Sequence, residues 1–306
     1  MKSELICLLG PTAVGKTEIA IQLAQQLDAE IVSVDSRQIY RQMDIGTAKP
    51  TPEEQKAARH RLIDCVDISQ SFSVADYQSL ADAAIADIQD RDKRVLLVGG
   101  AGLYFRSIVD GLFEGPGADP ALRERLEREA VQHGVDVLHD RLRACDPASA
   151  ERIHPNNIVR VIRALEVYEL TGTLMSELQQ QWHPEKQRYP FIAFCLTMPR
   201  ALLYHRIEQR VDIMLANGLI AEVESLLAAG YARGTVALQS FGYRELIAYL
   251  DGECTYLEAV KQLKQNTRRF AKRQLTWFRK DTRIEWIDRS AIPDIVAFLL
   301  EKIGDV

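Results

Sequence analysis

The residues best suited to chemistry lie near the start of the chain, in the stretch Gly10-Pro11-Thr12-Ala13-Val14-Gly15-Lys16-Thr17. Two glycines at this spacing, followed by lysine and threonine, are typical of a phosphate-binding loop. Such a loop points successive backbone N–H groups and the positive end of a helix dipole at one phosphate cluster. We therefore expect residues 10–17 to bind a phosphate or diphosphate, with Lys16 on its outer phosphate and the Thr17 hydroxyl ligating Mg²⁺.

A carboxylate follows the next buried stretch, because residues 30–34 alternate with β-branched side chains and lead into Asp35. Ligands of doubly wound sheets bind beyond the carboxyl ends of the strands, so Asp35 should face the crevice of the phosphate loop. Alternatively, Asp35 only caps the turn that begins at Ser36. A nucleobase, more than a phosphate, would suit the hydrogen-bonding and stacking side chains that follow, those of Arg37, Gln38 and Tyr40.

The apolar spacing predicts the elements that hold these residues in place. Strands are expected at 5–9, 30–34, 62–68, 93–98 and 191–197, and helices at 18–27, 74–88, 200–215 and 220–229. Strands that alternate with helices are typical of a parallel sheet. The predicted fold is therefore α/β, a P-loop NTPase-like parallel sheet flanked by helices.

A second glycine turn, Gly99-Gly100-Ala101-Gly102, follows the apolar run at 93–98. Glycines at a strand tip let a ligand pass close to the backbone. Close packing of a helix on the strand is the alternative interpretation, and the sequence leaves both open.

An all-helical insertion is predicted from the change of pattern at Gly115-Pro116-Gly117. Helices are expected at 120–130, 135–143 and 157–170, with no strand between them. The chain is thus divided into a core of residues 1–113 and 186–306 and an insertion of residues 114–185. Arg160 and Arg163 lie one turn apart on the third of these helices, either as a solvated face or as a ligand contact.

Local charge points to a polyanion where global charge does not. The 38 basic and 43 acidic residues give a net charge of −5. Between residues 261 and 283, however, nine basic residues face a single acid, Asp281: Lys261, Lys264, Arg268, Arg269, Lys272, Arg273, Arg279, Lys280 and Arg283. Interleaved with Phe270, Trp277 and Phe278, they suit contact with a nucleic-acid backbone, with a solvated helix face as the alternative.

Composition bounds the remaining possibilities. The N-terminus runs directly into a strand and no apolar run is as long as a membrane span, so we expect a cytoplasmic protein without membrane contact. The five cysteines are scattered without a zinc-like spacing: Cys7, Cys65, Cys145, Cys195 and Cys254. We expect them to be reduced and mostly buried.

A phosphate loop normally binds ATP or GTP, so a small-molecule kinase or an RNA-dependent NTPase is one hypothesis. Against it, the sequence has no guanine-reading motif, and the strand at 93–98 leads into Gly99-Gly100 instead of the acid expected of a Walker B site. Asp35 could replace that acid. A non-catalytic RNA-binding protein conflicts with the intact Lys16-Thr17 pair.

The motifs together resemble the bacterial tRNA dimethylallyltransferases over essentially the whole chain. The phosphate loop is joined by residues 34–40, 44–50, 99–104, 160–166 and 265–278, of which the runs DSRQIY and GTAKP are the most specific. The resemblance implies transfer of a dimethylallyl group from dimethylallyl diphosphate to N6 of the adenosine at position 37 of tRNA, with Mg²⁺ and release of diphosphate. The aspartate-rich signature of isoprenoid-chain prenyltransferases is absent.

The resemblance also implies roles for individual residues. Asp35 would accept the N6 proton, and Lys16, Thr12 and Arg210 would stabilise the leaving diphosphate. The tRNA anticodon stem-loop would contact Asp35, Ser36, Arg37, Gln38, Ala101, Arg123, Val159, Arg160, Val161, Ile162, Arg163, Ser240, Phe241, Gly242, Tyr243, Arg244, Arg268, Arg269, Lys272 and Arg273. Ala101 departs from the family's usual threonine, which removes a hydroxyl near the reaction channel. We expect a monomer.

Overall fold

The structure, a computed structural model, describes residues 4–113, 115–180 and 187–304 and divides into two compact units. One unit is formed by the ranges 1–109 and 188–306, and the other by the range 110–187. The insertion ends predicted at residues 114 and 185 lie outside the described residues.

A parallel sheet forms the centre of the first unit, which confirms the predicted α/β fold. Within the described residues it has six strands in the order β3-β2-β4-β1-β5-β6. Their bounds are Leu5–Leu9 (β1), Ala29–Val34 (β2), His60–Arg61 (β3), Arg94–Gly99 (β4), Phe191–Thr197 (β5) and Ile284–Asp288 (β6).

The register brings three loops together at one edge of the sheet. Gly99 pairs with Leu9 on one side and with Val34 on the other. Since β1, β2 and β4 are parallel neighbours, the phosphate loop, Asp35 and the second glycine turn all emerge at their carboxyl ends.

Helices cover both faces of this sheet. Alternate β1 residues divide between two apolar clusters, with Leu5 and Leu9 in one and Ile6 and Leu8 in the other. The helices are Lys16–Gln26 (α1), Pro52–Ala57 (α2), Val74–Gln89 (α3), Gly102–Val109 (α4), Arg200–Ala216 (α10), Leu219–Ala228 (α11), Tyr243–Leu250 (α12), Tyr256–Phe278 (α13) and Ile295–Gly304 (α14), numbered to leave α5–α9 for the second unit.

The second unit is helical throughout its described residues, with Pro120–His133 (α5), Val135–Cys145 (α6), Pro147–Arg152 (α7), Ile158–Thr171 (α8) and Met175–Gln180 (α9). Asp119 caps the first of these helices by accepting a hydrogen bond from the Leu122 N–H. The second unit has an apolar core of its own, which contains Leu126, Leu142 and Leu165.

The strand predicted at 62–68 is wrong. Leu62 and Asp64 adopt positive φ angles of 62° and 56°, which end the extended chain. Only the two residues of β3 pair with β2, and Val66 forms an isolated bridge with Tyr40. The strand β6 and the helices α12 and α14 were not expected.

The cysteines are all free thiols. Cys7 and Cys195 are buried, Cys65 is exposed, and Cys145 and Cys254 are half-buried, so the expectation of mostly buried thiols is wrong for three of them. Of the helices in the described residues, none combines the length and apolarity needed to cross a membrane.

Candidate active site

The phosphate loop connects β1 to α1 and depends on its two glycines. Gly10 has a φ of 145°, and a Cβ there would lie 2.7 Å from the Leu196 carbonyl oxygen. Gly15 has a φ of 94° and caps α1. Both positions therefore require glycine, as the motif predicts.

Lys16 turns back over this loop. Its Nζ donates to the carbonyl oxygens of Gly10 at 2.9 Å and Pro11 at 2.8 Å. Burial, and secondly the charge of Arg210, lowers the pKa of Lys16 from its usual 10.5 to about 8, although the charge of Asp35 opposes the change. An anion bound in this site would stabilise the protonated form of Lys16.

Three guanidinium groups surround the same loop. Arg210 Nη1 lies 3.4 Å from Thr12 Oγ1, and Arg206 Nε donates to the Ala13 carbonyl at 2.9 Å. Arg289 Nη1 donates to the Val14 carbonyl at 2.7 Å. Burial, and secondly the charge of Arg206, lowers the pKa of Arg210. Within the part of the chain that the structure describes, none of the three forms an ion pair with a carboxylate.

Gln274 of α13 connects the phosphate loop to the second glycine turn. Its Oε1 accepts from the Thr12 N–H at 2.9 Å, and its Nε2 donates to the Gly100 carbonyl at 3.0 Å. The side chain is 6% exposed. Gln274 was not among the predicted site residues.

Protein packing accounts for the glycines of the second turn. A Cβ on Gly99 would collide with the Val34 backbone, and one on Gly102 would collide with the Trp277 ring. Gly100 leaves space for the Gln274 amide in the same way. Close packing, the alternative interpretation of this turn, is therefore sufficient to explain these glycines. Ala101 lines the cavity that is described below.

Asp35 both caps a turn and lines the cavity, so the two interpretations of it hold together. Its Oδ1 accepts from the backbone N–H groups of Arg37 at 2.7 Å and Gln38 at 3.3 Å. These bonds hold the carboxylate in the lining of the cavity to which Lys16 and Arg210 also belong.

The residues after Asp35 are partly occupied by internal contacts. Gln38 Nε2 donates to the Ala48 carbonyl at 3.1 Å, and Arg37 Nη1 donates to the Val236 carbonyl at 3.0 Å. Ser36 lines the cavity. The predicted stacking surface of Tyr40 is wrong, since this side chain is 3% exposed and packs in the core.

Glu222 of α11 fixes the loop that carries the GTAKP run. Its carboxylate accepts from the N–H groups of Asp44 at 3.0 Å, Ile45 at 2.7 Å and Gly46 at 3.1 Å. The Tyr243 hydroxyl donates to it at 2.6 Å. This acceptor holds the loop against the cavity, and no pattern in the sequence predicts it.

One cavity of about 380 Å³ unites these groups. Its polar lining includes Thr12, Lys16, Asp35, Arg37, Arg210 and Arg244, and its apolar lining includes Ala101, Val211, Met214, Phe241, Leu263 and Phe270. The cavity thus combines a positively charged site for an anion, a carboxylate and an apolar wall suited to a short hydrocarbon.

Among the predicted tRNA contacts at residues 240–244, that of the Tyr243 side chain is wrong, because Tyr243 is buried and bonded to Glu222. Ser240 and Gly242 are also buried, with Ser240 Oγ bonded to the Ala237 carbonyl, but both line the cavity, so their contacts stay a prediction. Phe241 lines the cavity, and the Arg244 guanidinium lies 4.6 Å from its ring centroid.

The basic stretch forms part of α13, and its residues differ in whether they pair with an acidic residue. Arg268 pairs with Glu208, whereas Arg269, Lys272 and Arg273 are exposed. Arg273 stacks on Phe241 at 5.6 Å, and burial followed by the charges of Arg244 and Arg269 lowers its pKa. A bound anion would offset the repulsion between this guanidinium and the like charges beside it, so the cluster favours anion binding.

The tRNA contacts predicted in the second unit also divide into residues with an internal ion pair and residues without one. Glu166 is fully buried and pairs with Arg123 at 2.8 Å and with Arg163 at 2.7 Å. These two arginines therefore have an internal structural role.

The tRNA contacts predicted for two adjacent residues of α8 need correction. Val161 and Ile162 are buried, so the tRNA contact predicted for their side chains is wrong. Val159, 74% exposed, and Arg160 remain at the surface.

Comparison with known proteins identifies one family. The family model described as IPP transferase matches residues 38–281. The chain is 50% identical over 310 residues to the tRNA dimethylallyltransferase of Symbiobacterium thermophilum, with 99% of this chain and 97% of that protein covered. It is 48% identical over 287 residues to the tRNA dimethylallyltransferase of Geobacter metallireducens, covering 94% and 93%.

Solved structures agree with the sequence comparison. The tRNA isopentenylpyrophosphate transferase from Bacillus halodurans superposes with a TM-score of 0.73 at 44% identity, covering 99% of this chain and 98% of that chain. A eukaryotic dimethylallyltransferase acting on tRNA superposes with a TM-score of 0.81 at 26% identity, covering 98% and 77%.

Proposed function

Because this chain belongs to the IPP transferase family, with tRNA dimethylallyltransferases as relatives over nearly its full length, we propose how its residues carry out a prenyl transfer to tRNA. The donor is dimethylallyl diphosphate. The acceptor is N6 of the adenosine at position 37 of tRNA, and diphosphate is released. The observation that carries the proposal is that Asp35, the cations Lys16 and Arg210, and a set of apolar side chains line the same cavity.

The leaving diphosphate binds at the phosphate loop. As the allylic C1–O bond breaks, negative charge grows on the diphosphate oxygens, and preorganised donors there lower the barrier. Lys16, Arg210 and the Thr12 hydroxyl provide these donors together with the loop N–H groups. Electrostatic attraction then replaces the bonds that Lys16 makes to the loop carbonyls.

Asp35 acts on the acceptor. The N6 lone pair of adenine is delocalised into the ring, so the amine attacks C1 of the donor effectively only if its proton is removed. The new bond joins N6 to C1, the C1–O electrons leave with the diphosphate, and the N6 proton passes to the Asp35 carboxylate. Its bonds to the N–H groups of Arg37 and Gln38 hold the carboxylate in place.

Mg²⁺ fits the donor set of this site. Mg²⁺ is bound in proteins through few side chains together with substrate phosphates and water. Thr17 lines the cavity beside Lys16 and would hold the ion with the diphosphate oxygens. When bound, the ion neutralises charge on the leaving group.

The acceptor base must leave its stack to enter the cavity. We propose that Ser36, Arg37, Gln38, Ala101, Phe241 and Arg244 surround it and that Arg269, Lys272 and Arg273 bind the tRNA backbone. In the helical unit, Val159 and Arg160 provide the exposed surface for the anticodon stem-loop. We expect a monomer that acts in the cytoplasm, where the substrate tRNA is made.

The test is incubation of the protein with dimethylallyl diphosphate, Mg²⁺ and unmodified tRNA, followed by mass analysis of the nucleosides. The expected product is adenosine carrying one dimethylallyl group. Hydrolysis of ATP without any adduct would favour the kinase hypothesis instead.

A further inference from the structure

We propose that Arg289 is a positioning residue for the donor diphosphate, and that it acts with Arg206 by fixing two peptide groups of the phosphate loop. The inference rests on the proposed function and extends it to a residue outside every motif of the sequence. Arg206 comes from α10, and Arg289 follows β6 directly.

The argument begins with the carbonyl groups that these arginines hold. Arg206 Nε binds the Ala13 oxygen at 2.9 Å, and Arg289 Nη1 binds the Val14 oxygen at 2.7 Å. In a trans peptide the C=O and N–H bonds point in opposite directions. Fixing these two carbonyls therefore fixes the following N–H groups, those of Val14 and Gly15, on the side away from the guanidiniums.

The loop needs such support because its backbone is unusual. Ala13 has a φ of 65°, a left-handed conformation that residues with a Cβ rarely adopt. Gly15 has a φ of 94°. Alternating backbone of this kind makes a nest of N–H groups that binds an anion, provided that the peptides hold their orientation.

Arg289 is itself held rigidly. Its N–H donates to the Thr197 carbonyl at 3.0 Å, where β5 pairs with the end of β6. A Cβ on Gly15 would collide with the Arg289 guanidinium, so the second glycine of the motif also makes room for this side chain. In the described residues no carboxylate pairs with Arg289, and its charge remains available to the site.

The test compares Arg289→Met, which loses the hydrogen bond and the charge, with Arg289→Lys, whose long side chain keeps a donor for the Val14 carbonyl. The control is Arg200→Met, since Arg200 is exposed at the start of α10. For each full-length protein with Mg²⁺, the KM for dimethylallyl diphosphate, the Kd of inorganic diphosphate by calorimetry and the Kd of tRNA are measured. Circular dichroism checks folding.

We expect Arg289→Met to raise the donor KM and the diphosphate Kd about tenfold while the tRNA Kd is unchanged. Arg289→Lys should recover part of the loss. The inference is overturned if Arg289→Met matches Arg200→Met, or if Arg289→Lys binds diphosphate as weakly as Arg289→Met. Failure of the wild type to modify tRNA would instead refute the proposed function, because the diphosphate Kd values test Arg289 independently.

Discussion

Gln274 accepts a hydrogen bond from the backbone N–H of Thr12 at 2.9 Å, across 262 positions of sequence. The same amide donates to the Gly100 carbonyl at 3.0 Å. One side chain of α13 thus joins the phosphate loop to the second glycine turn, and both of these loops line the cavity.

Replacing Gln274 with Met should remove both hydrogen bonds while keeping the volume of the side chain. The buried Gly100 carbonyl would lose its partner, at a cost of about 1–3 kcal/mol in the free energy of unfolding. We expect the donor KM to rise as well. Urea unfolding and steady-state kinetics measure the two effects, with Gln26→Met, an exposed position at the end of α1, as control. Equal stability of the two variants would contradict the role of the bridge.

Replacing Asp35 with Asn should separate binding from transfer. The amide oxygen can still accept from the N–H groups of Arg37 and Gln38, but the amide cannot take the N6 proton. We expect the single-turnover rate to fall about 100- to 10,000-fold, with the tRNA Kd within a few-fold of wild type. Asp90→Asn at the exposed end of α3 is the control. Turnover near the wild-type rate would exclude Asp35 as the base.

Lys16 should make donor use depend on pH near 8. Its lowered pKa means that the folded protein binds this proton less tightly than the unfolded chain, so the cost of burying the charge is present below about pH 8. That cost is relieved as pH rises from about 8 toward 10.5. Since the diphosphate needs the protonated amine, kcat/KM for the donor should fall as pH rises through about 8.

The conservative variant Lys16→Arg tests this assignment. Arginine stays protonated throughout the range, so the fall of kcat/KM near pH 8 should disappear even if overall activity is lower. A pH profile of kcat/KM from about pH 6.5 to 9.5 for both proteins gives the answer. Persistence of the same fall in Lys16→Arg would assign it to another group.

The exposed basic residues of α13 should contribute to tRNA affinity more than the paired one. Arg269→Ala and Lys272→Ala should each weaken binding and lower the slope of log K against log salt by about 0.9 for a lost phosphate contact. Titrations at several salt concentrations measure this. The control is Arg94→Ala at the amino end of β4, the opposite edge of the sheet from the cavity. Salt slopes equal to that of the control would reduce the stretch to a solvated surface.

Local spacing predicted the parts of the site that local spacing determines. The phosphate loop and Asp35 line one cavity because each lies next to an element whose apolar period is legible in the sequence. Arg210 lines the same cavity, but its role was implied by the family resemblance and not by spacing. The same periodicity held the information needed for Val161 and Ile162, which share the buried face of α8 with Leu165. Their assignment to tRNA contact overlooked the face on which they lie.

The remaining parts depend on contacts between distant residues. Gln274, Glu222 and Arg289 act on loops 262, 178 and 275 positions away, respectively, and no spacing rule connects such positions. The strand predicted at 62–68 failed because left-handed backbone at Leu62 is not expected for leucine, whereas Asp64 is of a residue type that tolerates it. Tertiary packing decided these features, and only coordinates reveal them.

The most direct test of the central claim is a single-turnover experiment with dimethylallyl diphosphate labelled in the allyl group and unmodified tRNA. We predict that label enters tRNA in equal amount to the diphosphate released, that it is recovered on N6 of one adenosine beside the anticodon, and that Asp35→Asn blocks both. Release of diphosphate without label in tRNA, or consumption of ATP in its place, would contradict the account.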